Sequence, residues 1–108
     1  MKRKVGLVGR RKLLNRLVSA AVALGEAVEL QKSNTQQRQQ LAFILQRLRK
    51  DQTDPRTPDE ARKLVRSHIR IVSRDRRYLD GDRRKLGAKA KRLREAINLA
   101  SARLLNPD

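Results

Sequence analysis

The chain has 108 residues, of which 36% are charged and 38% hydrophobic, and its 28 basic and 11 acidic side chains leave a net charge of +17. That length makes one domain, or one domain with a tail, and a thin core; with one Tyr, one Phe and no Trp, the core falls to Leu, Ile, Val and Ala, the residue set of a helix bundle. The absence of Cys excludes disulfides and thiolate metal sites, and a single His leaves no His cluster for zinc.

The first segment, Met1 to Gly9, carries Lys2, Arg3 and Lys4 among glycines and reads as a flexible basic arm of the kind that tracks phosphates. A basic start followed by the apolar run Leu17 to Leu24 also has the outline of a targeting peptide. Asn15 and Arg16 just ahead of the run, and its continuation as a helical stripe, favour a folded helix. That helix is expected from about Arg10 to Gln31, with Leu14, Leu17, Ala21, Leu24 and Val28 on one face, widened by Leu13, Val18 and Val22. Gly25 costs about 1 kcal/mol relative to Ala inside it.

Ser33, Asn34 and Thr35 are N-cap candidates, and the following Gln residues complete cap-like spacings. A second helix is therefore expected from about Thr35 to Lys50, with Leu41, Ile44, Leu45 and Leu48 inward. One continuous helix from 10 to 50 is the alternative, disfavoured because the polar run Gln31 to Gln40 gives the stripe no apolar residue. Residues 51–56 form a loop, in which Pro55 turns Asp54 away from helical angles. Thr57-Pro58-Asp59-Glu60 then opens a third helix: a cap, a proline at the first position, and an acid closing a capping box. It is expected to reach Leu79, where Asp80-Gly81-Asp82 supplies a left-handed C-cap and a new N-cap. The fourth helix runs from about Arg83 to Leu105, with Leu86, Ala90, Leu93, Ile97, Ala100 and Leu104 as its seam. Asn106-Pro107 stops it. The fold class is thus all-α: a flexible arm over residues 1–9 and a single helical domain over 10–108, a small bundle of about four helices whose core two copies could complete.

The charge is placed in blocks. Residues 1–12 sum to +6, 34–50 to +4, 61–79 to +6 and 80–95 to +4, while 13–33 and 96–108 are neutral and 51–60 sum to −3. On the third helix Arg62, Arg66, Arg70, Arg74 and Arg77 recur at spacings of 4, 4, 4 and 3 opposite the apolar side, with Lys63 beside them. Each like-charge i, i+4 pair costs a few tenths of a kcal/mol. An ordinary solvated helix intersperses acids to recover that cost, so an uninterrupted ridge points to an anionic partner. Arg83, Arg84, Lys91 and Arg94 extend the basic surface along the fourth helix, and Arg10 and Arg11 adjoin the arm. Nineteen Arg against nine Lys suits bidentate phosphate recognition, although a GC-rich genome gives the same bias.

His68 and Asp75 share the apolar side of the third helix, two turns apart, and are expected at the core edge, with Asp75 meeting an Arg from elsewhere. Tyr78 and Phe43 are expected in the core rather than as base-stacking platforms. No nucleophile motif, glycine-rich phosphate loop or metal-ligand spacing occurs, so neither an enzyme nor a cofactor is expected. Few aromatics disfavour single-strand binding. The expected function is that of a nucleic-acid-binding accessory protein gripping phosphate backbone, duplex DNA slightly ahead of structured RNA, in the cytoplasm with nucleoid or ribonucleoprotein. An adaptor docking on an acidic protein is the alternative. No stretch approaches the roughly 20 apolar residues of a membrane span.

Overall fold

In the computed structural model, which describes residues 6–105, the chain forms two α-helices of 47 residues each: α1, Leu7–Thr53, and α2, Asp59–Leu105. The all-α class holds. The expected four helices are two, because both internal boundaries are helical: 31–40 lies inside α1 and 80–82 inside α2. Leu7, Val8 and Gly9, assigned to the arm by sequence, are the first turn of α1, and the Asn106-Pro107 stop lies outside the described residues.

The least exposed positions of each helix explain the continuity. On α1 the buried and half-buried Leu13, Leu17, Ala20, Leu24, Ala27, Gln31, Asn34, Arg38, Leu41, Leu45, Leu48 and Gln52 alternate by four and three without a break, with Ala23, Val28 and Ala42 half-buried beside them. That 3.5-residue repeat holds one face of a helix against a neighbour. Through the polar run it continues with polar side chains at seam positions, of which Asn34 and Arg38 have their partners there. Asn34, at 5% exposure, donates from Nδ2 to the Leu79 carbonyl at 2.8 Å and accepts at Oδ1 from Arg38 Nε at 2.9 Å. Arg38 in turn lies 3.9 Å from the Asp80 carboxylate. A buried polar group with its bonds made is tolerated, and a single such layer fixes which residues face each other across a seam. Asn34 is thus a seam residue, not a cap. Gly81 likewise keeps an ordinary helical φ, since no described residue has a positive one.

The chain packs as two compact units. One comprises residues 32–84: the second half of α1, the loop, and the first part of α2. Its tight turn follows from Asp54, Pro55 and Thr57. The Asp54 carboxylate accepts from the Arg56 backbone N–H at 2.9 Å and meets the Arg56 guanidinium at 3.3 Å. The Thr57 hydroxyl donates to the Asp51 carbonyl at 2.7 Å, tying the loop back to α1 rather than closing the expected capping box. The Pro58 carbonyl accepts the Arg62 N–H, and Asp59 and Glu60 sit in the first turn of α2, where the helix dipole favours acids. Leu45 is the buried apolar anchor of this unit.

The other unit joins the start of α1 to the end of α2, within 1–31 and 85–108. Its buried residues are Leu13, Ala27, Ala90 and Ala100. Among the described residues of this unit three of the four are Ala, whose small side chains take little apolar surface out of water. The apolar seam expected for the end of α2, Leu86 to Leu104, is the observed one. The start of α1 is rotated from expectation: Leu13 faces in as expected, joined by Ala20 and Ala27, while Leu14, Ala21 and Val28 flank the seam or lie outside it and Val18 and Val22 are exposed. An apolar run offers two adjacent stripes, and spacing alone cannot choose between them.

Candidate functional site

Within residues 32–84, the side of α2 away from the seam carries the basic ridge. Its seam residues are Arg62, Val65, Ile69, Val72 and Leu79, at the same alternating spacing. Lys63, Arg66, Arg70, Arg74 and Arg77 all lie exposed on the other side of one uninterrupted helix. At 1.5 Å per residue, Arg66 to Arg77 spans about 16 Å. Among the described residues Arg66, Arg70 and Arg77 form no ion pair. Arg74 stands 3.9 Å from the exposed Asp75 carboxylate, at the outer limit of such a pair and in full solvent, where it is worth little.

Arg62 does not belong to the ridge. It occupies a seam position, half-buried, and its Nη2 donates to the Asp54 carbonyl at 3.0 Å, while its Nε is buried without a partner. It staples the loop to α2. Its charge, with the Arg56 hydrogen bonds as the larger influence, holds the Asp54 carboxyl below the ordinary value. The i+4 count assigned Arg62 to the ridge because 62 and 66 are one helical turn apart, but Arg62 lies on the seam and Arg66 just outside it.

Arg83 and Arg84 are exposed at the end of the same unit. In the other unit Arg10, Arg11, Lys91 and Arg94 are exposed. Lys2, Arg3 and Lys4 lie outside the described residues. Sequence reading missed a further basic cluster in the 32–84 unit: Arg49, Lys50 and Arg76 line one shallow groove with Leu45 and Thr53. Arg76 falls at a position of the α2 repeat yet remains exposed, so counting the 3.5-residue repeat back from Leu79 finds it.

The ridge has an apolar neighbour. Leu64, Ile71 and Tyr78, seven residues apart, form a line on the same outer side, with Tyr78 at 68% exposure. The expectation that Tyr78 and Phe43 are core residues is corrected: both are exposed, as are Leu64 and Ile71. They fall outside the seam register, where the opposing helix offers no cover. Ile44, also expected inward, is exposed for the same reason. His68 and Asp75 are exposed too rather than at the core edge, and Asp75 meets its neighbour Arg74 rather than a distant Arg.

Among the described residues no group of three His, Asp or Glu side chains could hold a metal ion, and no helix is long and apolar enough to cross a membrane. The chain matches no protein-family model, no curated protein and no solved structure, so this surface rests on its own geometry and charge.

Proposed function

We propose that the chain is a non-enzymatic accessory protein that binds nucleic acid by its phosphate backbone, duplex DNA ahead of structured RNA, through the outer side of α2. One observation carries the reading: Arg66, Arg70, Arg74 and Arg77 stand exposed on one side of a single helix with no acid able to neutralise them as a set. Keeping those charges adjacent costs stability at every i, i+4 step, and an anionic partner recovers it. Guanidinium groups suit the task because their planar donors engage phosphate oxygens in pairs. Rigid spacing along a helix gives register on a backbone but no reading of base edges, so binding tolerant of sequence follows. Arg83 and Arg84 extend this surface. Arg10, Arg11, Lys91 and Arg94 provide further phosphate contacts from the other unit, and Lys2, Arg3 and Lys4 from the N-terminal segment. The corresponding location is the cytoplasm, on nucleoid or ribonucleoprotein.

The line of Leu64, Ile71 and Tyr78 beside the ridge supports a second reading, an adaptor for an acidic protein surface, because a protein partner would use both the apolar and the basic row. A side-by-side gel shift with duplex DNA, single-stranded DNA and structured RNA at two salt concentrations separates the two. Phosphate binding predicts a shift that weakens with salt and is lost in the Arg66→Glu/Arg70→Glu/Arg74→Glu variant while helicity stays intact. Retention on heparin with no shift of any nucleic acid transfers the ridge to a protein partner.

A further inference from the structure

The seam at the start of α1 uses Leu13, Leu17, Ala20, Leu24 and Ala27. That leaves a second apolar strip on the outer side. Leu14, Val18 and Val22 follow one another one helical turn apart, exposed by 47%, 60% and 58%, with Ala21 and Gly25 beside them. Residues 17–25 contain no charged side chain, although more than a third of the chain is charged. We infer that this strip is the contact between two copies of the chain, packed antiparallel across a two-fold axis near Val18.

Two observations select a second copy as the occupant. The first is charge. The chain carries +17, and most faces pressed against their own copy bring like charges together; of the two neutral stretches, 13–33 and 96–108, the first holds this uncharged strip, where two copies can meet without that cost. The second is the unit's own packing. Its buried residues are three Ala and one Leu, and no large side chain is fully buried, so this end of the chain gains little by folding alone.

Charge also sets the direction. Arg10, Arg11 and Lys12 precede the strip, and Glu26 and Glu29 follow it. In an antiparallel pair the basic start of each strip meets the acidic end of the other; a parallel pair stacks three cations on three. A two-fold contact of this kind is self-complementary and closes at two copies. Arg10 and Arg11 border the strip, but the strip and the α2 ridge that carries the nucleic-acid reading share no residue, so the two fail separately.

The test is the mass of the full chain in solution by sedimentation equilibrium, with nucleic acid removed and salt raised to screen the net charge. Twice the 12.4 kDa chain mass is expected. Val18→Lys places two ammonium groups at the axis and should raise the dissociation constant by at least about tenfold; Val18 is exposed, so unchanged circular dichroism is expected. Because the chain has no Cys, single cysteines report direction. Val18→Cys should form a covalent pair under mild oxidation, and Leu7→Cys should not, since an antiparallel pair holds its two copies about 33 Å apart. A single-chain mass up to sub-millimolar concentration, or an unchanged mass in Val18→Lys, overturns the contact. Cross-linking of Leu7→Cys as efficient as that of Val18→Cys overturns the antiparallel arrangement.

Discussion

Replacing Gly81 by Ala separates a continuous α2 from two helices meeting at Asp80-Gly81-Asp82, because the two arrangements give opposite signs. At a left-handed C-cap, Ala is strained and costs about 1 kcal/mol or more. Within a helix, Ala is favoured over Gly by about 0.8–1.0 kcal/mol. Gly81 has an ordinary helical φ, and a β-carbon built on it meets nothing within 4 Å, so the whole propensity gain should be realised. An unfolding entropy of about 2.1 cal/mol/K per residue is about 0.23 kcal/mol/K for a chain of this length, and the gain then raises Tm by about 4 °C. Gly87 is equally unencumbered and about 9 Å away along the helix, so the double substitution should approach 8 °C. Thermal melts followed by circular dichroism at one fixed protein concentration measure this, since association makes Tm concentration-dependent. A fall in Tm for Gly81→Ala would refute the continuous helix.

Asn34→Ala removes a buried side chain with bonds to the Leu79 carbonyl and Arg38; a loss of about 1–2 kcal/mol is expected in urea unfolding, against a change within 0.5 kcal/mol for the exposed Gln37→Ala. Equal effects at the two positions would count against the polar layer. Arg62→Ala should lower stability and leave nucleic-acid affinity nearly unchanged, whereas Arg70→Ala should lower affinity and leave Tm alone; the reverse pattern would return Arg62 to the binding surface. The pKa of Asp54 is lowered chiefly by its hydrogen bonds to Arg56, so the unfolded chain takes up that proton at higher pH than the folded one. Its contribution is complete above the ordinary Asp value of about 3.9 and is lost as pH falls through the lowered one. Asp54→Asn should flatten the stability–pH curve across that window, and an unchanged curve contradicts the Asp54–Arg56 turn.

What could be seen in the sequence was what apolar residues or turn chemistry announce. The α2 seam from Leu86 to Leu104 is written in Leu, Ile and Ala, and the turn at Asp54-Pro55 in residues that refuse a helix. What could not be seen was a seam written in polar residues. Gln31, Asn34 and Arg38 break the hydrophobic pattern, and only the bonds Asn34 makes show that the helix has no reason to stop there. Asp80-Gly81-Asp82 carries every local sign of a cap, but Leu79 and Leu86 keep the seam in register through it, and packing overrides the local preference. At the candidate site the same rule applies. Spacing placed Arg66, Arg70, Arg74 and Arg77 on the outside, where they are. It misplaced Arg62 and missed Arg76, because both depend on where the seam falls. Leu14, Val18 and Val22, expected on the inward face, are exposed because the helix buries the adjacent stripe instead.

The most direct measurement is the salt dependence of duplex DNA binding. Each phosphate neutralised contributes about −0.9 to the slope of log affinity against log salt. Five exposed cations, Lys63, Arg66, Arg70, Arg74 and Arg77, predict a slope of about −4.5 or steeper. Replacing Arg66, Arg70 and Arg74 by Gln should make it shallower by about 2.7. A slope near zero, or one the triple variant leaves unchanged, contradicts phosphate contact by this side of α2.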